Sequence, residues 1–186
     1  GHEVGVVVGG GGVAREYIET ARALGANEVE LDRVGIDVTR INARLLVAAL
    51  GDLAAPRPAH DYGTAAEAFR RGDVAVMGGV APGQTTDAVA AALAEDAGAD
   101  LLVFATSADG VYTADPNVEA DAEKLRTLSA GELVDVVAPM SRDAGASAPV
   151  DLLAAKLIQR AGLRALVLDG SDPEAVETAV LRGEHT

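Results

Sequence analysis

The stretch VGVVVGGGGVAREYIETA, residues 4–21, decides the fold. A run of β-branched residues ends in four glycines, and apolar residues then recur at helical spacing up to Gly25, namely Val13, Tyr17, Ala21 and Leu24. This order predicts a buried strand at 2–8, a glycine turn and a helix. Glycines let the backbone approach an anion, and the first turn of a helix offers N–H groups and a partial positive charge. The stretch therefore predicts an anion-binding turn, with a purely structural tight turn as the alternative.

The same alternation of strand and helix continues along the chain. Periodicity predicts further helices at 35–50, 64–71, 85–98, 130–137, 149–161 and 172–182, and further strands at 73–79, 100–105 and 165–170. Such alternation indicates an α/β fold whose mainly parallel sheet is covered on both faces and binds ligands at the carboxyl ends of its strands. We expect a single domain over 1–186, with a mobile loop at 138–149.

The composition argues against several classes of partner and site. Because 29 acidic residues outnumber 15 basic ones, leaving a net charge of −14, nucleic acid is not an expected partner. The apolar runs are far shorter than the about 20 residues that span a bilayer, and no signal peptide is predicted, so we expect a soluble, cytoplasmic protein without a membrane partner. The absence of cysteine excludes disulfides and thiolate metal sites. The acidic excess resembles a halophile's surface, and an ordinary acidic protein is the alternative.

Three polar clusters follow predicted strands: GGGGVAR at 9–15, GGVAPGQTTD at 78–87 and ATSADGVYTADP at 105–116. In a parallel sheet these clusters would share one edge. The glycine spacing of the first cluster matches neither a dinucleotide fingerprint nor a P-loop, while Arg15 adds a fork of donors. The second cluster offers another helix N-terminus, where Thr85 and Thr86 are either donors to an anion or simple caps. Two anion-binding turns on one edge are what a phosphoryl donor and a phosphoryl acceptor need.

The third cluster has the character of a nucleoside site. Tyr112 offers a flat face for a base, and Asp115 can accept a hydrogen bond from a ribose or a base, although both residue types are also common turn formers. His2, His60 and His185 are isolated in sequence, so no metal site is predicted.

In order and spacing, six segments resemble the amino acid kinase superfamily and, within it, the archaeal type of uridylate (UMP) kinase. They are VVVGGGxxAREYIE, LDxxGIDVTRINARLL, MGGxxPGQTTDAVAA, ADGVYTADP, APVDLLAAK and RGEH. The resemblance implies a three-layer α/β/α sandwich with a central, mainly parallel sheet. It also implies ATP-dependent phosphorylation of UMP to UDP assisted by Mg²⁺, and a ring-like homohexamer.

The resemblance also assigns site residues by position. Gly10 would contact the UMP phosphate and Asp32 the ribose or uracil, and the UMP site would be lined by Val80, Ala81, Pro82, Gly83, Gln84, Thr85 and Thr86. The ATP phosphates would meet Gly11 and Arg15, and the adenosine would meet Thr106, Ser107, Tyr112 and Asp115. Asp109 resembles the family's buried carboxylate that orients phosphate-binding groups. Arg15 and Asp109 are therefore the predicted catalytic residues.

The chain departs from the family pattern at several points. Ser107 stands where asparagine is common, and Gly12 where many relatives have lysine. A first strand, a Gly-Gly-Ser loop and a helix, about 30 residues, would precede His2, and a Gly-Thr and a final strand would follow Thr186. We therefore expect these 186 residues alone to bind nucleotide weakly and turn over poorly.

Charge neutralisation sets the remaining expectation. Two like charges about 4 Å apart repel by about 4 kcal/mol at an effective dielectric of 20, so a cation must lie near the reacting phosphates. Arg15 is the predicted one, because Lys124 falls in a charged connector and Lys156 on the polar face of a helix. Magnesium brought in with ATP would share the task. The alternatives are another kinase of the superfamily that forms an acylphosphate, and a nucleotide-binding module without catalysis.

Overall fold

The structure is a computed structural model that describes residues 2–114, 116, 119–140 and 150–182. Two compact units divide the chain, residues 1–97 and 98–186. The single domain expected from the sequence stays a prediction. Asp115 and residues 141–149, which include most of the predicted mobile loop, lie outside the described residues.

The first unit contains a parallel strand pair and four α-helices. The strands are β1 (Gly5–Val7) and β2 (Ala75–Met77), which pair in parallel with Val6 opposite Val76. The helices are α1 (Gly11–Ala23), α2 (Glu28–Leu50), α3 (Tyr62–Arg71) and α4 (Thr86–Ala97), and a 3₁₀ turn at Gly51–Leu53 follows α2. The predicted order of strand, helix, helix, helix, strand and helix is confirmed.

Helix α2 begins at Glu28, seven residues before the predicted start, because of a capping box. The Asn27 side chain accepts from the N–H of Glu30 at 3.1 Å, and the Glu30 side chain accepts from the N–H of Asn27 at 2.9 Å. Gly35 therefore lies inside the helix, where a Cβ would be 3.3 Å from Cδ1 of Ile18 in α1. The glycine lets the two helices pack closely.

Small residues dominate the interior of the first unit. Strand β2 is buried along its whole length, and Met77 is fully enclosed. The buried residues packed around it are mostly alanines, among them Ala55, Ala59, Ala65, Ala68 and Ala75. Half of the buried apolar residues in the described ranges of the whole chain are alanines.

Several of the apolar residues that recur at helical spacing along α1 are exposed. Val13 and Tyr17 are more than half exposed, and Leu24 is 84% exposed. The helix instead turns Ala14, which is buried, and the half-buried Ile18 inward. On α2 the large side chains of Ile41 and Leu45 are likewise exposed, whereas Ala43 is fully buried.

In its described residues, the second unit contains a parallel pair, a short hairpin and three helices. The parallel strands are β3 (Leu102–Thr106) and β6 (Ala165–Asp169), and the antiparallel ones are β4 (Val111–Tyr112) and β5 (Lys124–Leu125). The helices are α5 (Ala130–Met140), α6 (Leu152–Ala161) and α7 (Pro173–Arg182). The parallel pair and the helices were predicted, and the hairpin was not. Among the helices described, none is long and apolar enough to cross a membrane.

Candidate active site

The first two polar clusters lie side by side at one edge of the β1–β2 pair. The N–H of Val8 donates to the carbonyl of Met77 at 2.9 Å, and both strands then run into glycines. A Cβ placed on Gly9 would be 3.8 Å from Oγ1 of Thr86, the first residue of α4. The predicted meeting of the two glycine turns is therefore confirmed.

The first turn favours glycine at two positions, one for space and one for backbone conformation. A Cβ on Gly10 would collide with Cβ of Ala14, the buried residue of α1. Gly11 has a φ of +61°, which L side chains rarely adopt, and nothing lies within 4 Å of its Cβ position. The N-terminus of α1 is thus open to an anion, and Arg15 is exposed in the next turn.

Asn42 of α2 holds the carbonyl side of this turn. Its Nδ2 donates to the carbonyl of Gly9 at 2.9 Å and lies 3.4 Å from the carbonyl of Gly10. Because the amide occupies both carbonyls, the carbonyl oxygens face α2. An anion at the turn then meets N–H groups and not carbonyl oxygens.

One turn earlier on α2, Thr39 and Arg40 hold the second glycine turn. The Thr39 hydroxyl donates to the carbonyl of Ile36 at 2.6 Å and accepts from the N–H of Gly79 at 2.7 Å, and Thr39 is 6% exposed. Nε of Arg40 donates to the carbonyl of Gly79 at 3.2 Å. A Cβ on Gly78 would lie 2.6 Å from Oγ1 of Thr39 and 2.9 Å from the backbone N of Arg40. The second glycine turn therefore packs directly against α2.

Asp32, near the start of α2, holds the far end of the second cluster. Its Oδ2 accepts from the N–H of Gly83 at 2.8 Å. Gly83 has a φ of +80°, and the N–H of Gln84 donates to the carbonyl of Ala81 at 3.3 Å, which closes a tight turn. Asp32 thus holds the predicted UMP loop through its Oδ2 atom.

The remaining residues of this loop differ in exposure and in bonding. Pro82 and Gln84 are exposed, while Val80 packs against the core. The Thr85 hydroxyl accepts from the N–H of Ala88 at 3.1 Å, so Thr85 caps α4, as one of the two predicted alternatives had it.

The third cluster belongs to the second unit and follows β3. The Thr106 hydroxyl accepts from the N–H of Ala108 at 2.8 Å, which forms a local turn, and Ser107 is exposed. At the end of β6, the N–H of Gly170 donates to the carbonyl of Thr106 at 2.8 Å. The carboxyl ends of β3 and β6 therefore lie next to each other, and the loop after β3 begins at this end of the pair.

Asp109 is not the buried carboxylate that the resemblance implies, because 56% of its side-chain surface is exposed. Its Oδ1 accepts from the hydroxyl of Tyr112 at 2.8 Å, and its Oδ2 lies 3.1 Å from Nζ of Lys124. The bond from Tyr112, followed by that from Lys124, lowers the pKa of Asp109, and the same carboxylate raises the pKa of Tyr112. In this loop an ionised Asp109 therefore ties together two strands of a hairpin.

Four side chains that hold these clusters in place were missed or misjudged from the sequence. Thr39, Arg40 and Asn42 lie in the segment GIDVTRINARLL. This segment resembles the family, but the resemblance assigns no role to these three residues. Lys124 was predicted to lie in a charged connector, and this prediction is wrong, since Lys124 belongs to β5 and contacts Asp109.

Metal binding by the chain itself has no support in the part that the structure describes. No three side chains of His, Asp or Glu come together there in a group that could hold a metal ion.

Comparison with known proteins gives one family and close relatives. The model of the amino acid kinase family matches residues 1–169. A uridylate kinase of Haloquadratum walsbyi is 70% identical over 185 residues, covering 100% of this chain and 77% of that protein. A uridylate kinase of Halorubrum lacusprofundi is 72% identical over 186 residues, with the same coverage. Both organisms are halophiles, which agrees with the halophile-like composition.

Solved structures show the same fold. The crystal structure of uridylate kinase from Archaeoglobus fulgidus superposes with a TM-score of 0.89 at 47% identity, covering 99% of this chain and 82% of that one. The UMP kinase of Bacillus anthracis gives a TM-score of 0.76 at 25% identity, covering 98% of this chain and 77% of that one. The predicted fold class is confirmed.

Proposed function

The chain belongs to the amino acid kinase family, and we propose that it is a UMP kinase, which transfers the γ-phosphoryl group of ATP to UMP. Its close relatives are uridylate kinases, which supports this substrate. Two segments also support it, because they resemble the UMP kinases within the superfamily: RINAR at 40–44 in α2 and PGQTTDA at 82–88.

The observation that carries the proposal is the paired glycine turns at the end of β1 and β2. Both turns are fastened to α2, through Asn42 on one side and Thr39 on the other. A reaction between two phosphate groups needs two anion-binding positions at a fixed separation, since the protein supplies positioning and charge neutralisation and no covalent chemistry. One helix holding two such turns meets that need.

The proposal assigns the acceptor to the turns of the first unit. UMP would place its phosphate at Gly10, and Asp32 would meet the ribose or uracil. The loop lining this acceptor would be Val80, Ala81, Pro82, Gly83, Gln84, Thr85 and Thr86. The Asp32 side chain would then serve twice, because it also accepts from the N–H of Gly83.

The proposal assigns ATP to two further sets of residues. Its phosphates would meet Gly11 and Arg15, and its adenosine Thr106, Ser107, Tyr112 and Asp115. Asp109 would position this loop through Tyr112 and Lys124. An exposed, ionised carboxylate tied to a lysine fits loop positioning better than direct contact with anionic phosphates.

In the reaction, an oxygen of the UMP phosphate attacks the γ-phosphorus of ATP. The bond from that phosphorus to the β–γ bridging oxygen breaks, giving UDP and ADP. Arg15, at the exposed start of α1, would neutralise charge that develops on the transferring group. Since a charge-assisted hydrogen bond contributes about 1.5–3 kcal/mol, Arg15→Ala is expected to lower kcat by about tenfold to a hundredfold.

Magnesium would enter with ATP. Mg²⁺ typically binds through substrate phosphates and one or two carboxylates, so an all-protein cage is not required. The ion would add charge neutralisation at the phosphates, which this acidic chain of net charge −14 supplies sparingly.

The direct test is UDP formation from UMP and ATP at high KCl with excess Mg²⁺, followed by ³¹P NMR, with acetylglutamate, aspartate and carbamate as competing acceptors. We expect UDP from UMP and no acylphosphate. Asp32→Ala should raise KM for UMP, and Asp37→Ala, an exposed carboxylate on the same helix, should leave it unchanged. An unchanged KM in the Asp32 variant contradicts the acceptor assignment, and ADP release without UDP contradicts the reaction.

We also propose that the protein is cytoplasmic and assembles as a homohexamer, by resemblance to the family. The large exposed side chains of α1 and α2 support association, because a subunit interface would bury them: Val13, Tyr17, Leu24, Ile41 and Leu45. Sedimentation velocity at high salt measures the state directly, and a monomer at micromolar concentration contradicts the hexamer.

A further inference from the structure

Lys124 is one of two lysines in this acidic chain, and it lies in the β4–β5 hairpin beside Asp109. The chain has only two lysines against 29 acidic residues. One of them, Lys124, pairs with Tyr112 across the β4–β5 hairpin, and its Nζ lies 3.1 Å from Oδ2 of Asp109. Of the Lys124 side-chain surface 32% is exposed, and the ammonium lies against the carboxylate of Asp109.

Gly110 provides the space for the lysine stem. A Cβ on Gly110 would lie 2.7 Å from Cε of Lys124, and 3.5 and 3.6 Å from its Cγ and Cδ. Gly110 does not have a positive φ, so backbone conformation does not demand a glycine here. The Asp-Gly pair of this loop is therefore explained by close approach of a lysine side chain, and not by turn geometry.

Lys124 offsets negative charge at this loop. The hydrogen bonds from Ser171 lower the pKa of Asp169, and the charge of Asp109 acts weakly in the opposite direction, so the two carboxylates lie within electrostatic range of each other. Two carboxylates would repel the phosphates of a nucleotide. The ammonium of Lys124 neutralises one of them and fixes its direction at the same time.

We propose that Lys124 is a positioning residue for ATP, holding the loop of Asp109 and Tyr112 through an ion pair for which Gly110 leaves room. This inference rests on the proposed function, in which that loop binds the donor nucleotide. It adds a residue that the family resemblance does not assign, and it gives Gly110 a specific purpose.

The test compares Lys124→Met with Lys124→Arg, and uses Lys156→Met, the other lysine, exposed on α6, as the matched control. Affinity for MgATP is measured by calorimetry, and KM for ATP, KM for UMP and kcat are measured separately. Because exposed ion pairs are weak, we expect Lys124→Met to raise the Kd and KM for ATP by about threefold to fivefold. KM for UMP and kcat should stay within about twofold, arginine should restore most of the ATP affinity, and Lys156→Met should behave as the unmodified protein.

Gly110→Ala supplies an independent arm. The added methyl group meets the far end of a flexible side chain, so it should displace the ammonium from Asp109 without unfolding the hairpin. We expect Gly110→Ala to match Lys124→Met in ATP affinity, and the double variant to show no further loss. In Gly110→Ala and in Lys124→Met alike, the pKa of Asp109, followed by ¹³C NMR, should rise.

The possible failures are distinguishable. If Lys124→Met binds ATP as tightly as Lys156→Met, or raises KM for UMP as much as KM for ATP, the positioning role is wrong. If Gly110→Ala leaves both the pKa of Asp109 and ATP affinity unchanged, the role given to Gly110 is wrong. Unmodified protein that binds ATP but forms no UDP contradicts the proposed function, and the ATP affinities of the variants still decide the role of Lys124.

Discussion

The two glycine turns of the first unit and the hairpin loop of the second unit are fastened by different kinds of interaction. The turns are held by side chains of one long helix, above all by the buried hydroxyl of Thr39. The hairpin loop is held by an exposed carboxylate between a tyrosine and a lysine. The first arrangement includes a buried hydrogen bond, from the N–H of Gly79 to Thr39, and the second depends on charge.

This difference determines what conditions can change. Breaking a buried hydrogen bond leaves an unsatisfied group that is unfavourable by about 1–3 kcal/mol, and salt has little influence on it. Exposed ion pairs contribute about 0–1 kcal/mol and weaken as salt rises. Changes at the turns should therefore appear in the free energy of unfolding, and changes at the hairpin loop in ligand affinity.

The largest effect is expected from Gly78→Ala. The added Cβ would meet Oγ1 of Thr39 at 2.6 Å and the backbone N of Arg40 at 2.9 Å, and backbone atoms cannot move aside cheaply. We expect a loss near the upper end of about 1–3 kcal/mol in urea unfolding. Gly12→Ala is the matched control, because nothing lies within 4 Å of its Cβ position. Equal stability of the two variants would show that the packing of this turn against α2 is not tight.

A smaller loss is expected from Thr39→Val, which keeps the shape and removes the hydroxyl. The N–H of Gly79 would then be left buried without its acceptor, a loss of about 1–3 kcal/mol. Thr20→Val removes an exposed hydroxyl that bonds within α1 and should change stability by less than about 0.5 kcal/mol. If the Thr39 variant is as stable as the Thr20 variant in denaturant titrations, burial does not distinguish these sites.

Asn42 should show an intermediate effect that depends on which replacement is made. Asn42→Ala removes the donor to the carbonyl of Gly9, a loss of about 0.5–1.5 kcal/mol. Asn42→Asp turns the donor into a negatively charged acceptor facing that carbonyl, so it should be less stable than the alanine variant and raise KM for UMP further. Unfolding curves and kinetics of the pair check the order, and the reverse order contradicts the proposed orientation of the turn.

The smallest effect is expected from pH at the hairpin loop. The bond from Tyr112 lowers the pKa of Asp109 below its unfolded value, so its contribution is present above about pH 4 and lost as the pH falls through the folded-state pKa. The pKa of Tyr112 is raised, so its contribution is present below about pH 10 and lost above. Tyr112→Phe should raise the pKa of Asp109 in NMR titration. An unchanged value means that Lys124 alone lowers this pKa.

The order of strands and helices could be predicted because it depends on local periodicity, whereas some boundaries and faces could not. The capping residues Asn27 and Glu30 are visible in the sequence, but the apolar periodicity predicts a start at Gly35, seven residues too late. Its place is decided by the approach of Ile18 from another helix. Likewise, Tyr17 has helical spacing but is exposed, because α1 turns Ala14 and Ile18 inward instead.

At the candidate site, the glycine turns could be predicted and the residues that hold them could not. A turn such as Gly10–Gly11 is encoded locally by positions where a side chain would collide or be strained. Thr39 and Asn42 act on glycines more than 30 positions away, so their partners appear only in the folded chain. The contact of Lys124 with Asp109 depends on the register of a hairpin that the periodicity did not reveal.

The alanine-rich interior decides where this protein could be engineered. Four of the alanines packed around Met77 also line a pocket of about 140 Å³, namely Ala55, Ala59, Ala68 and Ala75. A larger apolar side chain at one of these positions is expected to fill part of that pocket, whereas the fully buried Ala65, which does not line it, should lose about 1–3 kcal/mol on enlargement. A designer seeking thermal stability would therefore begin at this pocket and at the arrangement of surface charge.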